Sequence, residues 1–119
     1  MATPEGRVKA KVKRRLKVEF GAKCWSFMPV QTGYGAPALD YLICIDGLFV
    51  AIETKAPGKK PTPLQETTIA TIREAGGLVF VVEGDETLDA AIACIKEKQG
   101  AGRPKGRADG EPVPQRAVA

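Results

Sequence analysis

The feature that most constrains the fold is a pair of apolar segments, LDYLICI and LFVAIETK, joined by Asp46-Gly47. A two-residue Asp-Gly connection between strand-like segments is one of the strongest short-range signals of a β-hairpin. Both segments are apolar enough to be buried on at least one face. They nevertheless contain two acids and a lysine, and an unpaired charge is costly to bury. The charged positions of this hairpin therefore indicate a function.

The turn fixes which residues face each other across the hairpin. If Asp46-Gly47 is the turn, Ile45 pairs with Leu48, and Asp40 then faces Glu53. Side chains at directly opposed positions have Cβ atoms about 4.5–5.5 Å apart. Two carboxylates about 5 Å apart repel each other by roughly 3 kcal/mol at an effective dielectric constant near 20. A shared proton, a lysine or a divalent cation has to offset that repulsion.

Lys55 is two residues after Glu53, so both side chains project from the same face of the strand. Two acids, completed by waters and a backbone carbonyl such as that of Thr54, form an oxygen site that suits Mg²⁺ or Mn²⁺. Lys55 then positions or activates the attacking water. The alternative is a solvated sheet face with an ordinary Glu-Lys pair. The strongly apolar residues around Asp40 and Glu53 weaken that alternative.

Composition excludes several kinds of chemistry. The 119 residues contain no histidine, which removes Ser-His-Asp catalysis and histidine-ligated zinc. The three cysteines include no CxxC pair, which favours reduced thiols over disulfides or a zinc knuckle. The length supports one domain, and no apolar run reaches the roughly 18 residues of a membrane span. We expect a cytoplasmic protein with no membrane contact, in the host-cell cytoplasm if it is phage-encoded.

Periodicity and turn signals predict an α/β fold with αβββαβ order plus a C-terminal helix. The predicted helices are 4–20, 62–76 and 86–98, and the predicted strands are 23–30, 39–45, 48–55 and 78–82. An antiparallel meander that continues through a crossover helix into a buried strand gives a mixed β-sheet flanked by helices. We expect a domain over residues 3–98 and a disordered basic Gly/Pro-rich tail over residues 99–119.

The residues resemble a known family. Asp40 followed by Glu53-x-Lys55 at the end of the next strand is similar to the core motif of the PD-(D/E)xK nucleases. A Glu that opens the first helix, a Gly-rich loop before the Asp and a Gln after the E-x-K strand resemble a stand-alone VRR-NUC domain of the type found in phages. The resemblance covers residues 4–82 and implies a restriction-endonuclease-like core.

The resemblance implies roles for individual residues. Asp40 and Glu53 would bind the metal, Lys55 would be the catalytic lysine, and Glu5 would complete the metal shell through water. Gln65 would line the site from the second helix. Two of these roles have local alternatives. Glu5 also suits the positive end of the helix dipole, and Gln65 completes a capping box that begins at Thr62.

The expected activity is metal-dependent hydrolysis of DNA phosphodiester bonds, and selectivity for branched or junction-like DNA is one form that it could take. The net charge is +4, and basic residues concentrate in the first helix. We expect phosphate contacts from this set: Arg7, Lys11, Arg14, Arg15, Lys59 and Lys60. The resemblance also suggests a homodimer. The alternatives are a nuclease-like fold that binds nucleic acid without cutting it and a basic adaptor that binds protein.

Among the aromatic residues, we expect Tyr41 and Trp25 to pack in the core, and Tyr34 either to stack on bases or to pack.

Overall fold

The chain forms three helices and a four-stranded sheet in a computed structural model that describes residues 3–29 and 38–101, the last of them by its backbone alone. The elements in chain order are α1 (Pro4–Phe20), β1 (Cys24–Phe27), β2 (Tyr41–Ile45), β3 (Leu48–Thr54), α2 (Pro63–Glu74), β4 (Leu78–Val82) and α3 (Asp85–Ala101). A short 3-10 turn, Gly21–Lys23, joins α1 to β1. The predicted order of elements is confirmed. The predicted loop at 31–37, with Tyr34, and the tail beyond residue 101 lie outside the described residues.

Two boundaries differ from the sequence prediction by three residues, and the others differ by two or fewer. The first strand ends at Phe27 rather than at residue 30; Pro29 follows closely and has no N–H to donate to a ladder. The last helix extends to Ala101, three residues past its predicted end and into the range assigned to the tail. Gly100 is tolerated there because a glycine in a helix costs only about 1 kcal/mol relative to alanine.

The sheet has the strand order β1-β2-β3-β4. The first three strands are antiparallel neighbours, and β4 pairs with β3 in parallel after the crossover through α2. At the hairpin turn, Asp46 and Gly47 both have positive φ angles, 49° and 85°, as a type I′ turn requires. Ile45 pairs with Leu48. The predicted register and the mixed α/β sheet are therefore confirmed.

Helix α1 forms where its capping signals place it. The Thr3 hydroxyl accepts a hydrogen bond from the Gly6 N–H at 3.0 Å, and Pro4 occupies the first helical position. Four apolar residues at helical spacing then form one buried stripe. They are Val8, Val12, Leu16 and Phe20. This stripe holds α1 against the sheet and fixes which of its residues approach the hairpin.

The core lies on both faces of the sheet. On one face α1 and α3 pack against side chains such as Ile43, Ile45 and Val50. On the other face α2 packs more locally, with Ile69 against Ala51 and Val79. Within the described residues, none of the helices is both long enough and apolar enough to cross a bilayer.

Part of the α2 face is left open. The prediction that Trp25 packs in the core is wrong: Trp25 is 65% exposed, and its ring stacks on that of Phe27 with centroids 6.2 Å apart. Trp25 pairs with Cys44, which pairs with Phe49, and all three are exposed. We call Trp25, Phe27, Cys44 and Phe49 the open sheet face. An open groove of about 380 Å³ continues it; the lining residues are Phe49, Thr71, Ile72, Ala75, Gly76 and Gly77.

Candidate active site

The two acids of the hairpin meet where β2 begins and β3 ends. Tyr41 pairs with Ile52 as the last pair of the ladder, so Asp40 and Glu53 occupy the next opposed positions. The Asp40 backbone N–H donates a hydrogen bond to Glu53 Oε1 at 3.2 Å. The Asp40 backbone and the Glu53 carboxylate are therefore in contact, as the predicted register requires; that the two carboxylates share a cation stays a prediction.

Thr54 fixes the orientation of Asp40. Its backbone N–H and its hydroxyl both donate to Asp40 Oδ2, at 2.9 and 2.6 Å. The Thr54 side chain is fully buried, so it has little freedom to release the carboxylate. The other oxygen of Asp40, Oδ1, lies 3.7 Å from the ammonium of Lys9.

Glu53 is held from two directions. Gln65 at the start of α2 donates from Nε2 to Glu53 Oε2 at 2.7 Å, and the Lys55 ammonium lies 3.4 Å from the same oxygen. The Lys55 backbone N–H donates to the Val82 carbonyl, which continues the pairing with β4 past the end of β3. This pairing keeps Lys55 on a rigid part of the sheet.

The environment of Glu53 disfavours its charged form. The residue is only 3% exposed. Burial raises the pKa of Glu53, and the nearby charge of Asp40 raises it further. The hydrogen bond from the Asp40 N–H and the charge of Lys55 act in the opposite direction but leave the pKa above its ordinary value. A cation bound next to the two acids would favour the charged form of Glu53 and so oppose both effects.

Gln65 belongs both to the helix cap and to the site. The side-chain oxygen Oε1 of Gln65 accepts a hydrogen bond from the Thr62 backbone N–H at 2.9 Å, and the Gln65 backbone N–H donates to the Thr62 hydroxyl at 3.2 Å. Its Nε2 remains for Glu53. Helix capping and binding of Glu53, the two roles that the sequence leaves open for Gln65, are therefore compatible. Oε1 of the side-chain amide serves the cap, and Nε2 binds Glu53.

Glu5 is separated from the acid pair by a lysine. Lys9, one turn later on α1, lies 3.7 Å from Glu5 Oε2 and 3.7 Å from Asp40 Oδ1. Sequence reasoning missed Lys9 as a site residue and counted it only as one of the basic residues of α1. The available signal was its spacing, since residues four apart share one helix face. A role for Glu5 in binding metal through water stays a prediction.

The basic residues expected to bind phosphate fall into two groups. Lys11 and Arg15 form ion pairs with α3, to Asp85 at 3.0 Å and to Asp89 at 2.6 Å. The other four, Arg7, Arg14, Lys59 and Lys60, are exposed. The acids on α3 thus neutralise part of the basic surface that the sequence of α1 suggested.

The donor set of the site fits a hard divalent cation. In the stretches 3–29 and 38–101, no group of three or more His, Cys, Asp or Glu side chains is arranged to hold a metal ion. Asp40 and Glu53 are a pair of oxygen donors, and Mg²⁺ is commonly bound by one or two carboxylates, with water and substrate phosphate as the remaining ligands. The two acids meet that requirement.

Comparison with known proteins identifies the family. The sequence matches no protein-family model and no curated protein. A solved structure described as a VRR_NUC domain superposes with a TM-score of 0.66 and 30% sequence identity, over 77% of this chain and 97% of that one. The chain belongs to the VRR-NUC family.

Membership agrees with the mixed sheet flanked by helices and makes the chain a nuclease-type domain. The superposed VRR-NUC structure is matched over almost its whole length.

Proposed function

We propose that this VRR-NUC domain is a metal-dependent endonuclease that hydrolyses DNA phosphodiester bonds, with a preference for branched or junction-like DNA. The observation that supports this most is the juxtaposition of Asp40 and Glu53 at the hairpin end, with the Lys55 ammonium 3.4 Å from Glu53. A hydrolytic site without histidine can work with such a combination of acids and a lysine, because a bound metal lowers the pKa of its water.

The proposed metal is Mg²⁺ or Mn²⁺, with Asp40, Glu53 and the Thr54 carbonyl as ligands and Glu5 acting through water. When bound, such a cation would acidify the attacking water and neutralise charge that develops on the phosphate. The hydrogen bonds to Asp40 from Thr54, and to Glu53 from Gln65, hold the acids in place before the substrate arrives. Such preorganisation is a main source of electrostatic catalysis.

In this proposal Lys55 orients the attacking water. Its side chain is only 14% exposed, so the ammonium faces the acid pair rather than bulk solvent. A lysine in that position also stabilises the extra negative charge of the transition state.

DNA would be held mainly through its phosphates. The exposed residues Arg7, Arg14, Lys59 and Lys60 support this contact, and such contacts confer little sequence preference. Lys11 and Arg15 would have to exchange their partners on α3 for phosphate. That exchange is feasible because exposed ion pairs contribute only about 0–1 kcal/mol.

The proposal includes a homodimer, and the open sheet face supports it. Large exposed apolar patches mark sites of protein association. In a two-fold dimer the same surface of each copy meets the other. The open sheet face has the exposed ring of Trp25 at one end and the apolar groove beside Phe49 at the other. In a two-fold dimer, the ring of each copy can therefore meet the groove of the other.

The test is cleavage of plasmid and four-way-junction DNA by the purified protein in the presence of Mg²⁺, Mn²⁺ or EDTA. Asp40→Asn and Lys55→Ala are expected to lower the rate at least about 100-fold, equivalent to about 2.7 kcal/mol of transition-state stabilisation. Circular dichroism checks that the variants fold.

Asp46→Asn is the matched control for Asp40→Asn, because it removes the same charge at the other end of the hairpin and Asn tolerates a positive φ. Lys98→Ala on α3 is the control for Lys55→Ala. Cleavage that survives Asp40→Asn, or that persists in EDTA, would refute the proposed site or its metal. Salt-sensitive DNA binding without cleavage by the wild-type protein would identify a binding protein on a nuclease fold.

A further inference from the structure

Lys9 lies at the edge of the acid pair without belonging to the family motif. Its ammonium is 3.7 Å from Asp40 Oδ1 and 3.7 Å from Glu5 Oε2, and its side chain is 33% exposed. Its backbone carbonyl accepts the Tyr41 hydroxyl at 3.1 Å. Because Tyr41 is buried, this bond anchors the Lys9 turn of α1 to the first residue of β2.

The two oxygens of Asp40 have different partners. Asp40 Oδ2 is occupied by Thr54, whereas Oδ1 faces the Lys9 ammonium. At 3.7 Å the contact is an ion pair but too long for a hydrogen bond. It balances charge without fixing geometry, so it can be exchanged for another cation at small cost.

We propose that Lys9 is a positioning residue that acts as the built-in counter-ion of Asp40 and competes with the divalent cation for that carboxylate. This inference rests on the proposed metal-dependent function. An ammonium and a divalent cation repel each other at one carboxylate oxygen. Lys9 would therefore leave Asp40 when a cation binds there, and its charge would set how tightly that cation is held.

Glu5 gives the displaced lysine a second partner. The ammonium already contacts Glu5, one turn earlier on the same helix, and the four-carbon stem of lysine allows a short swing away from Asp40. Lys9 thus has two neighbouring carboxylates, of which only Asp40 belongs to the acid pair. Without a cation, Lys9 limits the repulsion between Asp40 and Glu53. With a cation bound, Lys9 would stay paired with Glu5 Oε2, which leaves Glu5 Oε1 for the water of the proposed metal shell.

The experiment measures the Kd of the intact protein for Mn²⁺ alone, by calorimetry and by electron paramagnetic resonance. Lys9→Met is expected to tighten binding by about five-fold or more, because it removes the competing charge. Lys9→Arg retains the charge and is expected to stay within about two-fold of wild type. Lys13→Met, which removes an equivalent charge from the exposed side of α1, controls for net charge and is expected to change Kd less than two-fold.

Thermal unfolding supplies a second readout. Lys9→Met is expected to lower the Tm of the metal-free protein and to enlarge the increase in Tm caused by Mn²⁺. A lysine with a purely structural role would lower both Tm values equally and leave Kd unchanged. An unchanged or weaker Mn²⁺ affinity in Lys9→Met overturns the proposal.

If Lys9→Met does not fold, the wild-type protein still tests the proposal. The rate of reductive methylation of Lys9, followed by mass spectrometry, is expected to change on Mn²⁺ addition, while that of Lys13 stays constant. A methylation rate of Lys9 that is the same with and without Mn²⁺ overturns the proposal. Wild-type protein that binds no Mn²⁺ at all would instead refute the proposed metal function, and this inference with it.

Discussion

The Gln65 side chain donates a 2.7 Å hydrogen bond to the Glu53 carboxylate while it completes the cap of its own helix. The start of α2 and the candidate active site are therefore coupled through one amide. Folding of the helix end places the donor, and the donor in turn fixes the buried acid.

This coupling predicts different effects for two neighbouring substitutions. Thr62→Ala removes one bond of the cap but keeps the Gln65–Glu53 contact, so it is expected to cost about 1 kcal/mol of unfolding free energy and to leave cleavage nearly unchanged. Gln65→Ala removes both functions and is expected to lower the cleavage rate at least about ten-fold as well. Urea denaturation and junction cleavage measure the two effects. Equal activity in both variants would show that Gln65 only caps the helix.

A second prediction concerns Thr54. Thr54→Val keeps the shape of the side chain but removes the hydroxyl that donates to Asp40 Oδ2. A hydrogen bond to a charged group contributes about 1.5–3 kcal/mol, so a loss of that order is expected in urea denaturation. Mn²⁺ affinity should fall too, because Asp40 gains freedom. Thr54→Ser retains the hydroxyl, and it should preserve metal affinity; a loss as large as that in the Val variant would argue against this role.

The pKa of Glu53 yields a third prediction. Burial and then the charge of Asp40 raise this pKa above its ordinary value. A raised folded-state pKa contributes stability that is fully present below the unfolded-state pKa and is lost as pH rises through the folded-state value. Asp40→Asn removes the charge that is the second cause, so the pKa of Glu53 should fall. The decrease in unfolding free energy as pH rises through the pKa of Glu53 should then be smaller than in the wild type. Carboxyl NMR titration and denaturation at several pH values measure both, and identical titrations of Glu53 in the two proteins would contradict the interpretation.

The basic surface of α1 gives a fourth prediction. Arg14 is exposed, whereas Arg15 is paired with Asp89 and Glu19. If phosphates bind the exposed residues, Arg14→Ala should weaken DNA binding and reduce the salt dependence of log K by about one unit. Arg15→Ala should have a smaller effect on both DNA affinity and its salt dependence. Fluorescence anisotropy at several salt concentrations separates the two, and a stronger effect of Arg15→Ala would place DNA over the α1–α3 junction instead.

A fifth prediction concerns the proposed homodimer. Trp25→Ser with Phe27→Ser should convert the dimer to a monomer in sedimentation analysis. Val18→Ser, which removes another exposed apolar side chain, 74% exposed on α1, should leave the dimer intact. Trp25 is the only tryptophan, so the emission maximum of the wild type should shift to the red on dilution. A protein that sediments as a monomer at every concentration would exclude the dimer.

The sequence predicted most of what depends on local patterns. Capping residues marked the starts of α1 and α2, and the Asp46-Gly47 turn fixed the register that places Asp40 beside Glu53. These features depend on residues close together in the chain, so periodicity and turn chemistry suffice to find them.

What the sequence did not show depends on packing between distant elements. Trp25 is exposed because α2 leaves its end of the sheet uncovered. Asp85 and Asp89 approach Lys11 and Arg15 only because α3 packs beside α1. Lys9 reaches Asp40 only because the Val8–Val12 stripe packs against the sheet. Of these residues only Lys9 has a signal within its own element, its four-residue spacing from Glu5, and that spacing does not reveal the contact with Asp40.

The acid pair also has a consequence for how the chain folds. Asp40 and Glu53 are only 13 positions apart and belong to one hairpin, whereas β3 and β4 join only after α2 has crossed over. A short loop closes at a lower entropic cost than a long one, so the two carboxylates meet early on the folding route. Their mutual repulsion then opposes the hairpin itself, and refolding should accelerate at acidic pH or when a divalent salt is supplied from the start.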